Sequence, residues 1–223
     1  MTVRTDMKAY YECRAQDYDD IYAVPECQDE LSDLHARIRT LFEGHRVLEL
    51  ACGTGYWTAD MAITAESIVA TDISSVMLDI ARKKHEKHAG RQNLSFSVRD
   101  VFAPYDPRDA EAPYSACFAG FWWSHVGREK QDAVLDVLKK SLSPQGLLVL
   151  IDDVYVENVS VPVARTDAEK NTYQICRLPD GERYEILKNF PTDSTLRKKF
   201  GAHLRDIRIE RSSHYWMLNG RFK

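Results

Sequence analysis

The sequence lacks the features that would direct it to a membrane or to nucleic acid. No apolar run in its 223 residues approaches the roughly 18–20 residues that a membrane span needs, and the N-terminus has no apolar signal segment. Basic residues hold no surplus, because 30 Lys and Arg stand against 34 Asp and Glu. The formal net charge of −4 offers no positive field for a phosphate backbone. We therefore expect neither a membrane nor nucleic acid as a partner.

Cysteine is scarce, and its spacing argues against the usual roles of paired thiols. The five residues are odd in number and form no CxxC pair, which disfavours both a disulfide framework and a zinc site. This pattern is typical of reduced thiols, so we expect a cytoplasmic protein without a bound metal. The cysteines are Cys13, Cys27, Cys52, Cys117 and Cys176.

Repeats, low-complexity segments and Pro-rich or Gly/Ser-rich linkers are also missing. Hydrophobic residues make up 44% of the chain, which is enough for a full core without metal or disulfide support. Together with the length, this composition predicts a single domain, with room for one insertion.

From residue 46 onward, apolar runs of strand length alternate with amphipathic helical segments. Strands that are almost continuously apolar are buried on both faces, and repeated strand–helix units give parallel strands. The pattern predicts an α/β fold with a doubly wound, mostly parallel, Rossmann-like sheet of the seven-stranded type. The predicted strands are residues 46–51, 67–72, 94–98, 114–122 and 147–154, and the predicted helices are residues 55–65, 75–88 and 128–142.

Both ends of the chain depart from this alternation. Helical spacing of apolar residues predicts two N-terminal helices over residues 7–24 and 26–43. Farther on, the turn-forming triplet 179–181 separates two strand-like runs and predicts an inserted antiparallel hairpin. The remaining predicted elements are the hairpin strands 172–178 and 182–187, a helix over 192–202, and strands over 206–212 and 215–222 with a turn at Asn219-Gly220.

The segment VLELACGTG, residues 47–55, lies where the first predicted strand turns into a helix. Its glycines let the backbone pass close to a ligand, and the helix N-terminus directs free N–H groups at that ligand. Asp72 ends the second strand, where a carboxylate can accept hydrogen bonds from both hydroxyls of a ribose. A nucleotide-like ligand is therefore expected at the carboxyl ends of the strands.

Two departures from the dinucleotide fingerprint help to choose between cofactors. Thr58 occupies the position where that fingerprint has Gly or Ala, after the bulky Tyr56 and Trp57. Glu49 would repel a diphosphate, but it suits a ligand that bears an ammonium or sulfonium charge. An NAD(P)-dependent oxidoreductase thus stays only as a less favoured alternative.

These residues resemble the class I S-adenosylmethionine-dependent methyltransferase family over about residues 10–155. The resemblance implies that Gly53 and Gly55 approach the methionine and ribose portions of S-adenosylmethionine. It also implies that Asp100 accepts the adenine amino group and that Val101 supplies a backbone donor. The cofactor-binding residues expected from the resemblance are Tyr10, Arg14, Tyr18, Glu49, Ala51, Gly53, Gly55, Asp72, Ile73, Met77, Asp100, Val101 and Phe121.

Structural roles stay open for several of these residues. Glu49 can be a buried polar residue paired with a backbone amide, and Met77 can be a helix core residue. Asp72 and Asp100 can serve as helix caps or turn residues. The N-terminal tyrosines can pack as part of an ordinary amphipathic helix.

Residues beyond the fourth and fifth strands are candidates for the acceptor side. His125 follows the fourth strand, and an imidazole of ordinary pKa, ~6.5, can take a proton at neutral pH. A structural histidine bonded to a loop carbonyl is the alternative. The predicted catalytic residues are His125 and Asp152, and the predicted substrate-binding residues are Tyr11, Trp122, Trp123 and Asp153.

The expected function is methyl transfer from S-adenosylmethionine to a small-molecule acceptor, with O- or N-methylation favoured. A regulatory protein that binds the cofactor without turnover is the main alternative. We expect a monomer or homodimer. The chain is predicted to form one methyltransferase domain, with a helical lid over residues 1–43, a cofactor-binding core over 44–154, an insertion with a hairpin over 155–190, and a C-terminal helix and strands over 191–223.

Overall fold

The computed structural model describes residues 3–86, 93–103 and 113–223, which form two sheets and the helices around them. In these ranges, no helix has both the length and the apolar character to cross a membrane. In chain order the elements are β1 (Val3–Arg4), α1 (Met7–Cys13), α2 (Gln28–Leu41), β2 (Arg46–Leu50), α3 (Thr58–Thr64), β3 (Ser67–Asp72), α4 (Ser75–Glu86), β4 (Leu94–Val98), β5 (Tyr114–Gly120), α5 (Gln131–Ser141), β6 (Leu142–Asp153), β7 (Val163–Thr166), β8 (Thr172–Arg177), β9 (Arg183–Leu187), α6 (Asp193–Phe200), β10 (Leu204–Arg211) and β11 (Tyr215–Phe222). Short 3-10 helices cover Ala15–Tyr22, Pro25–Cys27 and Trp123–His125.

The larger sheet has seven strands in the order β10-β11-β6-β5-β2-β3-β4. The five strands from β6 to β4 pair in parallel, whereas β11 and β10 run antiparallel. This confirms the predicted mostly parallel, doubly wound sheet. Winding reverses between β2 and β5, and a crevice opens at the carboxyl ends of strands at such a reversal.

Buried apolar side chains cover both faces of the larger sheet. Within β2, Val47 packs in a cluster that includes α2 and α3, while Leu48 and Leu50 pack in a second cluster that includes α5 and α6. The alternation follows from the two-residue period of a strand. Because both faces are covered, the polar backbone ends of the strands are left as the place where a ligand can approach.

The smaller sheet contains the predicted hairpin. β8 and β9 pair antiparallel, with Cys176 opposite Tyr184, and the full strand order is β1-β9-β8-β7. The outer strands β1 and β7 were not predicted, because VR and VART are too short and too exposed to show an apolar alternation. The parallel pairing of β1 with β9 ties the N-terminus to the insertion.

Two sequence predictions of local structure are corrected. The helix predicted over residues 7–24 ends at Cys13, after which the chain continues as the 3-10 helix Ala15–Tyr22. Asn219 and Gly220 form no turn, since both pair with β6 inside β11. A Cβ on Gly220 would lie 3.2 Å from the carbonyl oxygen of Arg205, so a glycine here allows β11 and β10 to pack closely. The last two residues of the helix predicted over 75–88 lie outside the described residues.

Packing of α2 against the larger sheet yields a stability prediction. Replacing Ile38, which is 0% exposed, with Ala should lower the free energy of unfolding by about 2–5 kcal/mol, because it leaves a cavity in the core. The same replacement of Ile63 with Ala, on α3 where the side chain is 52% exposed, should lower the free energy of unfolding by less than about 1 kcal/mol. Urea unfolding followed by circular dichroism measures both variants. Equal losses would contradict the core position of α2.

Candidate functional site

A cavity of about 290 Å³ opens at the carboxyl ends of the parallel strands, at the reversal between β2 and β5. We call it the first cavity. Its wall comes from the loops after four neighbouring strands and from the N-terminal segment. The lining residues are Met7, Lys8, Tyr11, Tyr18, Ala51, Gly53, Asp72, Ile73, Ser74, Met77, Arg99, Asp100, Val101, Phe102, Gly120, Phe121, Trp122, His125 and Val126.

Two residues at strand ends hold an uncommon backbone conformation at this cavity. Ala51 follows β2 with φ of 48°, and Phe121 follows β5 with φ of 56°. Non-glycine residues in the left-handed region cost on the order of 1–3 kcal/mol and concentrate at functional positions. The strain lies on the two adjacent strands where the winding of the sheet reverses.

Asp72 is held rigidly at the floor of the first cavity. Its Oδ2 accepts a hydrogen bond of 2.9 Å from the N–H of Gly53, and its Oδ1 accepts one of 2.8 Å from the N–H of Ser74. Gly53 has φ of +55°, a conformation that glycine adopts without strain. Burial raises the pKa of Asp72, which the two N–H donors counteract. The carboxylate is thus fixed in direction while keeping further acceptor positions.

At the other end of the first cavity, the predicted Ile73, Met77, Asp100 and Val101 come together. Asp100 Oδ1 accepts a hydrogen bond of 2.9 Å from the N–H of Phe102, so its own loop orients it. Ile73 is exposed, whereas Met77 is buried at the start of α4. The lining here combines one carboxylate with apolar surface.

Glu49 and Gly55, both predicted to bind the cofactor, lie outside the lining of the first cavity. Glu49 is buried, and its Oε2 accepts a hydrogen bond of 2.6 Å from Thr58 Oγ1 on α3. Burial raises the pKa of Glu49 to about 8. Gly55 instead faces α4, where an added Cβ would lie 3.0 Å from His85 Nε2. The motif predicts the loop correctly, but these two positions serve its packing.

A second cavity of about 220 Å³ adjoins the first. It lies between the N-terminal segment, the carboxyl ends of β5 and β6, and the smaller sheet. Tyr11, Tyr18, Phe121 and His125 line both cavities, and we call these four residues the shared wall. The other lining residues are Tyr10, Arg14, Ile21, Tyr22, Asp153, Val161, Gln174, Cys176, Ile186, Lys188 and Tyr215.

His125 joins three elements through its ring nitrogens. Its Nδ1 lies 2.5 Å from the carbonyl oxygen of Leu187, so Nδ1 carries the proton and donates it. Its Nε2 lies 2.7 Å from Tyr11 Oη and therefore accepts a hydrogen bond from the phenol. Burial lowers the pKa of His125 to about 4, with the ammonium of Lys188 contributing. The ring is neutral near pH 7, and both nitrogens are engaged.

Lys188, which sequence reasoning missed, forms a buried ion cluster beside the second cavity. Its Nζ lies 3.2 Å from Asp152 Oδ1 and 2.6 Å from Asp153 Oδ2. These carboxylates hold the pKa of Lys188 well above its ordinary value. Lys188 follows β9 in a segment without a motif, so only the folded arrangement reveals the cluster.

Several predicted acceptor-side residues occupy other places. Trp123 lines neither cavity, because its buried ring packs against Phe200 in the core, which corrects the predicted substrate contact. Asp152 is fully buried and accepts hydrogen bonds from the N–H and Oγ of Ser124, so its position is structural. Trp122 lines the first cavity. Tyr10 and Arg14, predicted to bind cofactor, line the second cavity instead of the first.

Polar contacts hold the N-terminal segment over the first cavity. Glu12 Oε1 accepts a hydrogen bond of 2.9 Å from Ser74 Oγ, and Asp19 accepts one from Thr54 Oγ1. Tyr22 stacks on Tyr56, with ring centroids 3.7 Å apart. These contacts anchor the predicted lid to the loops after β2 and β3.

Methyltransferases are among the proteins whose sequences match this chain. A family model described as a methyltransferase domain matches residues 47–146. Demethylmenaquinone methyltransferase of Clavibacter sepedonicus is 30% identical over 49% of this chain and 41% of its own length. An uncharacterized methyltransferase of Bacillus licheniformis is 23% identical over 67% of each chain. The match to the bifunctional biotin biosynthesis protein BioHC of Cellvibrio japonicus covers only 12% of that protein.

Solved structures with the same fold cover nearly the whole chain. The structure described as a DhpI-SAH complex has a TM-score of 0.76 and 25% identity, covering 96% of this chain and 94% of its own. The [4+2]-cyclase SpnF has a TM-score of 0.66 at 17% identity, covering 100% of this chain and 97% of its own, which shows the fold alone.

The buried carboxyl of Glu49 yields a pH prediction. Its pKa rises from an ordinary 4.5 to about 8 in the folded chain, so the folded state holds a proton that the unfolded state loses between these values. The stabilisation present below pH 4.5 is therefore lost as the pH rises through 8. Between pH 6.5 and 8, wild type should lose about 1 kcal/mol per pH unit more than Glu49→Gln. Parallel urea-unfolding curves for the two proteins would contradict this.

Proposed function

We propose, from the premise that the chain belongs to the class I S-adenosylmethionine-dependent methyltransferase family, that it transfers a methyl group from S-adenosylmethionine to a small-molecule acceptor. One observation carries the proposal: two cavities meet at the shared wall, defined by Tyr11, Tyr18, Phe121 and His125. The first cavity suits the cofactor and the second suits an acceptor. Such a pair of chambers lets a nucleophile approach the methyl carbon in line.

The residues of the first cavity fit the cofactor at three points. Asp72 presents a carboxylate, fixed by two N–H donors, that can accept hydrogen bonds from ribose hydroxyls. Asp100 and Val101 are suited to the edge of an adenine, with Ile73 and Met77 supplying apolar contact. When bound, S-adenosylmethionine supplies a methyl group made electrophilic by a sulfonium. Aromatic rings in the shared wall are compatible with that positive charge.

The chain contributes position and exclusion of water. Tyr11 and Tyr18 are half-buried in the shared wall. Desolvation raises the pKa of Tyr18 to about 12, so its phenol stays neutral. His125 holds the Tyr11 hydroxyl through Nε2 and is itself held by the Leu187 carbonyl. We assign His125 a positioning role through Tyr11. The role of a general base, predicted from sequence, stays a competing prediction.

The finer properties of the function stay proposals. A small acceptor suits the 220 Å³ of the second cavity, and methylation on oxygen or nitrogen is the favoured chemistry. The related proteins carry names with different acceptors, which include demethylmenaquinone and magnesium-protoporphyrin. We retain the cytoplasmic location and the monomeric or homodimeric state as predictions.

Binding of the demethylated cofactor tests the first cavity. Replacing Asp72 with Ala should weaken the binding of S-adenosylhomocysteine by about 1.5–3 kcal/mol, because a charged acceptor of two hydroxyls is lost. Asp79→Ala is the matched control, since Asp79 lies exposed on α4 and pairs with Arg82. Isothermal titration calorimetry measures both. Unchanged affinity in Asp72→Ala would overturn the cofactor assignment, provided that wild type binds.

The Tyr11–His125 hydrogen bond separates positioning from general-base catalysis. Tyr11→Phe and His125→Asn should each lower kcat by about fivefold, and the double variant should fall no further, because all three remove one interaction. A base at His125 predicts instead a loss of about 10²–10⁴-fold in His125→Asn alone. Release of S-adenosylhomocysteine with an accepted acceptor gives kcat. Since the folded pKa of His125 is about 4, neither role makes kcat titrate with this group between pH 6 and 8, so the size of the loss in His125→Asn separates the two roles.

A further inference from the structure

Asp153 presents one carboxylate oxygen to the second cavity. Its Oδ2 lies 2.6 Å from Lys188 Nζ, while its Oδ1 accepts no hydrogen bond from the residues that the structure describes. The Asp153 side chain is 37% exposed and lines the cavity, whereas the neighbouring Asp152 is fully buried. Burial raises the pKa of Asp153; the Lys188 ammonium opposes this rise and the Asp152 carboxylate adds to it. Oδ1 is therefore available to take a proton from an acceptor.

The other titratable groups of the shared wall are less suited to this task. His125 donates through Nδ1 to the Leu187 carbonyl and accepts through Nε2 from Tyr11, so neither nitrogen is open to an acceptor. Burial raises the pKa of both Tyr11 and Tyr18, so these phenols keep their protons. The choice of a base for the second cavity thus falls on Asp153.

The charges around the second cavity balance one another. Arg14 and Lys188 line it together with Asp153, and Asp152 contacts Lys188 from the core. All four groups act on the hydroxyl of Tyr18: the two carboxylates raise its pKa and the two cations lower it. Two negative and two positive charges leave no net charge for an ionised acceptor to compensate. An uncharged acceptor suits this arrangement.

Aromatic rings form much of the remaining lining and favour an apolar body for the acceptor. The rings are those of Tyr10, Tyr11, Tyr18, Tyr22, Tyr215 and Phe121. An aliphatic amine would enter as an ammonium and meet the cations of Arg14 and Lys188 as well as the sulfonium. A hydroxyl group is uncharged at neutral pH and still has a proton to lose. It therefore fits both the balanced charges and the open carboxylate oxygen.

We propose that the acceptor is an uncharged hydroxyl compound with an apolar body, and that Asp153 is the catalytic residue that takes the hydroxyl proton through Oδ1 as the oxygen is methylated. The proposal rests on the proposed function and adds the class of its substrate and the identity of its base. Lys188 then acts as a positioning residue, because it holds Oδ2 and leaves Oδ1 directed at the cavity.

The step balances with this single base. A lone pair of the hydroxyl oxygen forms the new C–O bond, and the C–S bond breaks with its electron pair staying on sulfur. The O–H bond breaks, and its proton passes to Asp153 Oδ1. The hydroxyl proton becomes more acidic as the C–O bond forms, so a carboxylate suffices as the base. The products are a methyl ether, S-adenosylhomocysteine and a neutral Asp153, and the total charge is unchanged.

Small probes first test the charge class of the acceptor. The protein is saturated with S-adenosylhomocysteine, a step that fails if the proposed function is wrong. Phenol, cyclohexanol, benzoate and benzylamine are then titrated by calorimetry. Phenol or cyclohexanol should bind at least about tenfold more tightly than either ion, because an ion disturbs the balanced charges. Tighter binding of benzoate or benzylamine, or no binding of either hydroxyl compound, would overturn the proposal.

Methyl transfer then tests the base. The protein is incubated with tritiated S-adenosylmethionine and either the hydroxyl probe that binds or thiophenol, which has nearly the shape of phenol but is ionised at about pH 8. Asp153→Asn should slow the labelling of the hydroxyl probe by about 10²-fold or more and that of thiophenol by less than about fivefold, because only the hydroxyl must lose a proton. Equal losses with both probes, or a hydroxyl probe that binds without accepting label, would contradict a base at Asp153.

Asp132→Asn is the matched control, because Asp132 on α5 also pairs with a lysine, Lys199, and lines neither cavity. It should label both probes as wild type does. Asp153→Asn should keep the wild-type affinity for S-adenosylhomocysteine, which distinguishes loss of the base from loss of the fold. Asp153→Glu retains a carboxylate and should label the hydroxyl probe at least about tenfold faster than Asp153→Asn. A glutamate variant as slow as the asparagine variant would count against the proposal.

Discussion

The ion cluster of Lys188 with Asp152 and Asp153 joins the two sheets, and the second cavity depends on it. The two carboxylates end β6 in the larger sheet, while Lys188 follows β9 in the smaller one. Buried charges are tolerated only where partners satisfy them, and Asp152 also accepts hydrogen bonds from the N–H and Oγ of Ser124. Replacing Lys188 would leave two carboxylates without the ammonium that both contact. The cluster therefore fixes where the insertion sits on the parallel core.

Because Lys188 is held in place, the residues before and after it, Leu187 and Asn189, are held as well. The Leu187 carbonyl accepts from His125, and the N–H of Asn189 donates to the Ser124 carbonyl over 2.9 Å. The orientation of the His125 ring, and through it the Tyr11 hydroxyl, follows from how the smaller sheet docks. The ion cluster beside the second cavity thus fixes the orientation of His125 and Tyr11, which line both cavities.

Most of the fold and of the first cavity could be predicted because both depend on local pattern. Apolar runs and glycines identify the parallel strands and their loops. Asp72 ends β3 and Asp100 follows its neighbour β4, so both lie at the carboxyl ends of the strands. The differences concern the direction of side chains. The sequence places Glu49 in the first strand and Gly55 in the loop after it, but only the folded chain shows that Glu49 turns to α3 and Gly55 to α4.

The second cavity could be predicted only in part. The sequence predicts Tyr11, His125 and Asp153 near the acceptor, and all three line this cavity. It assigns Arg14 to the cofactor and gives no signal for Lys188, because these residues come from separate segments that no spacing relates. The first cavity is built largely by strand ends and backbone, whereas much of the second is built by side chains from the N-terminal segment and the insertion. Substitutions in those two segments can therefore change the second cavity without disturbing the parallel core.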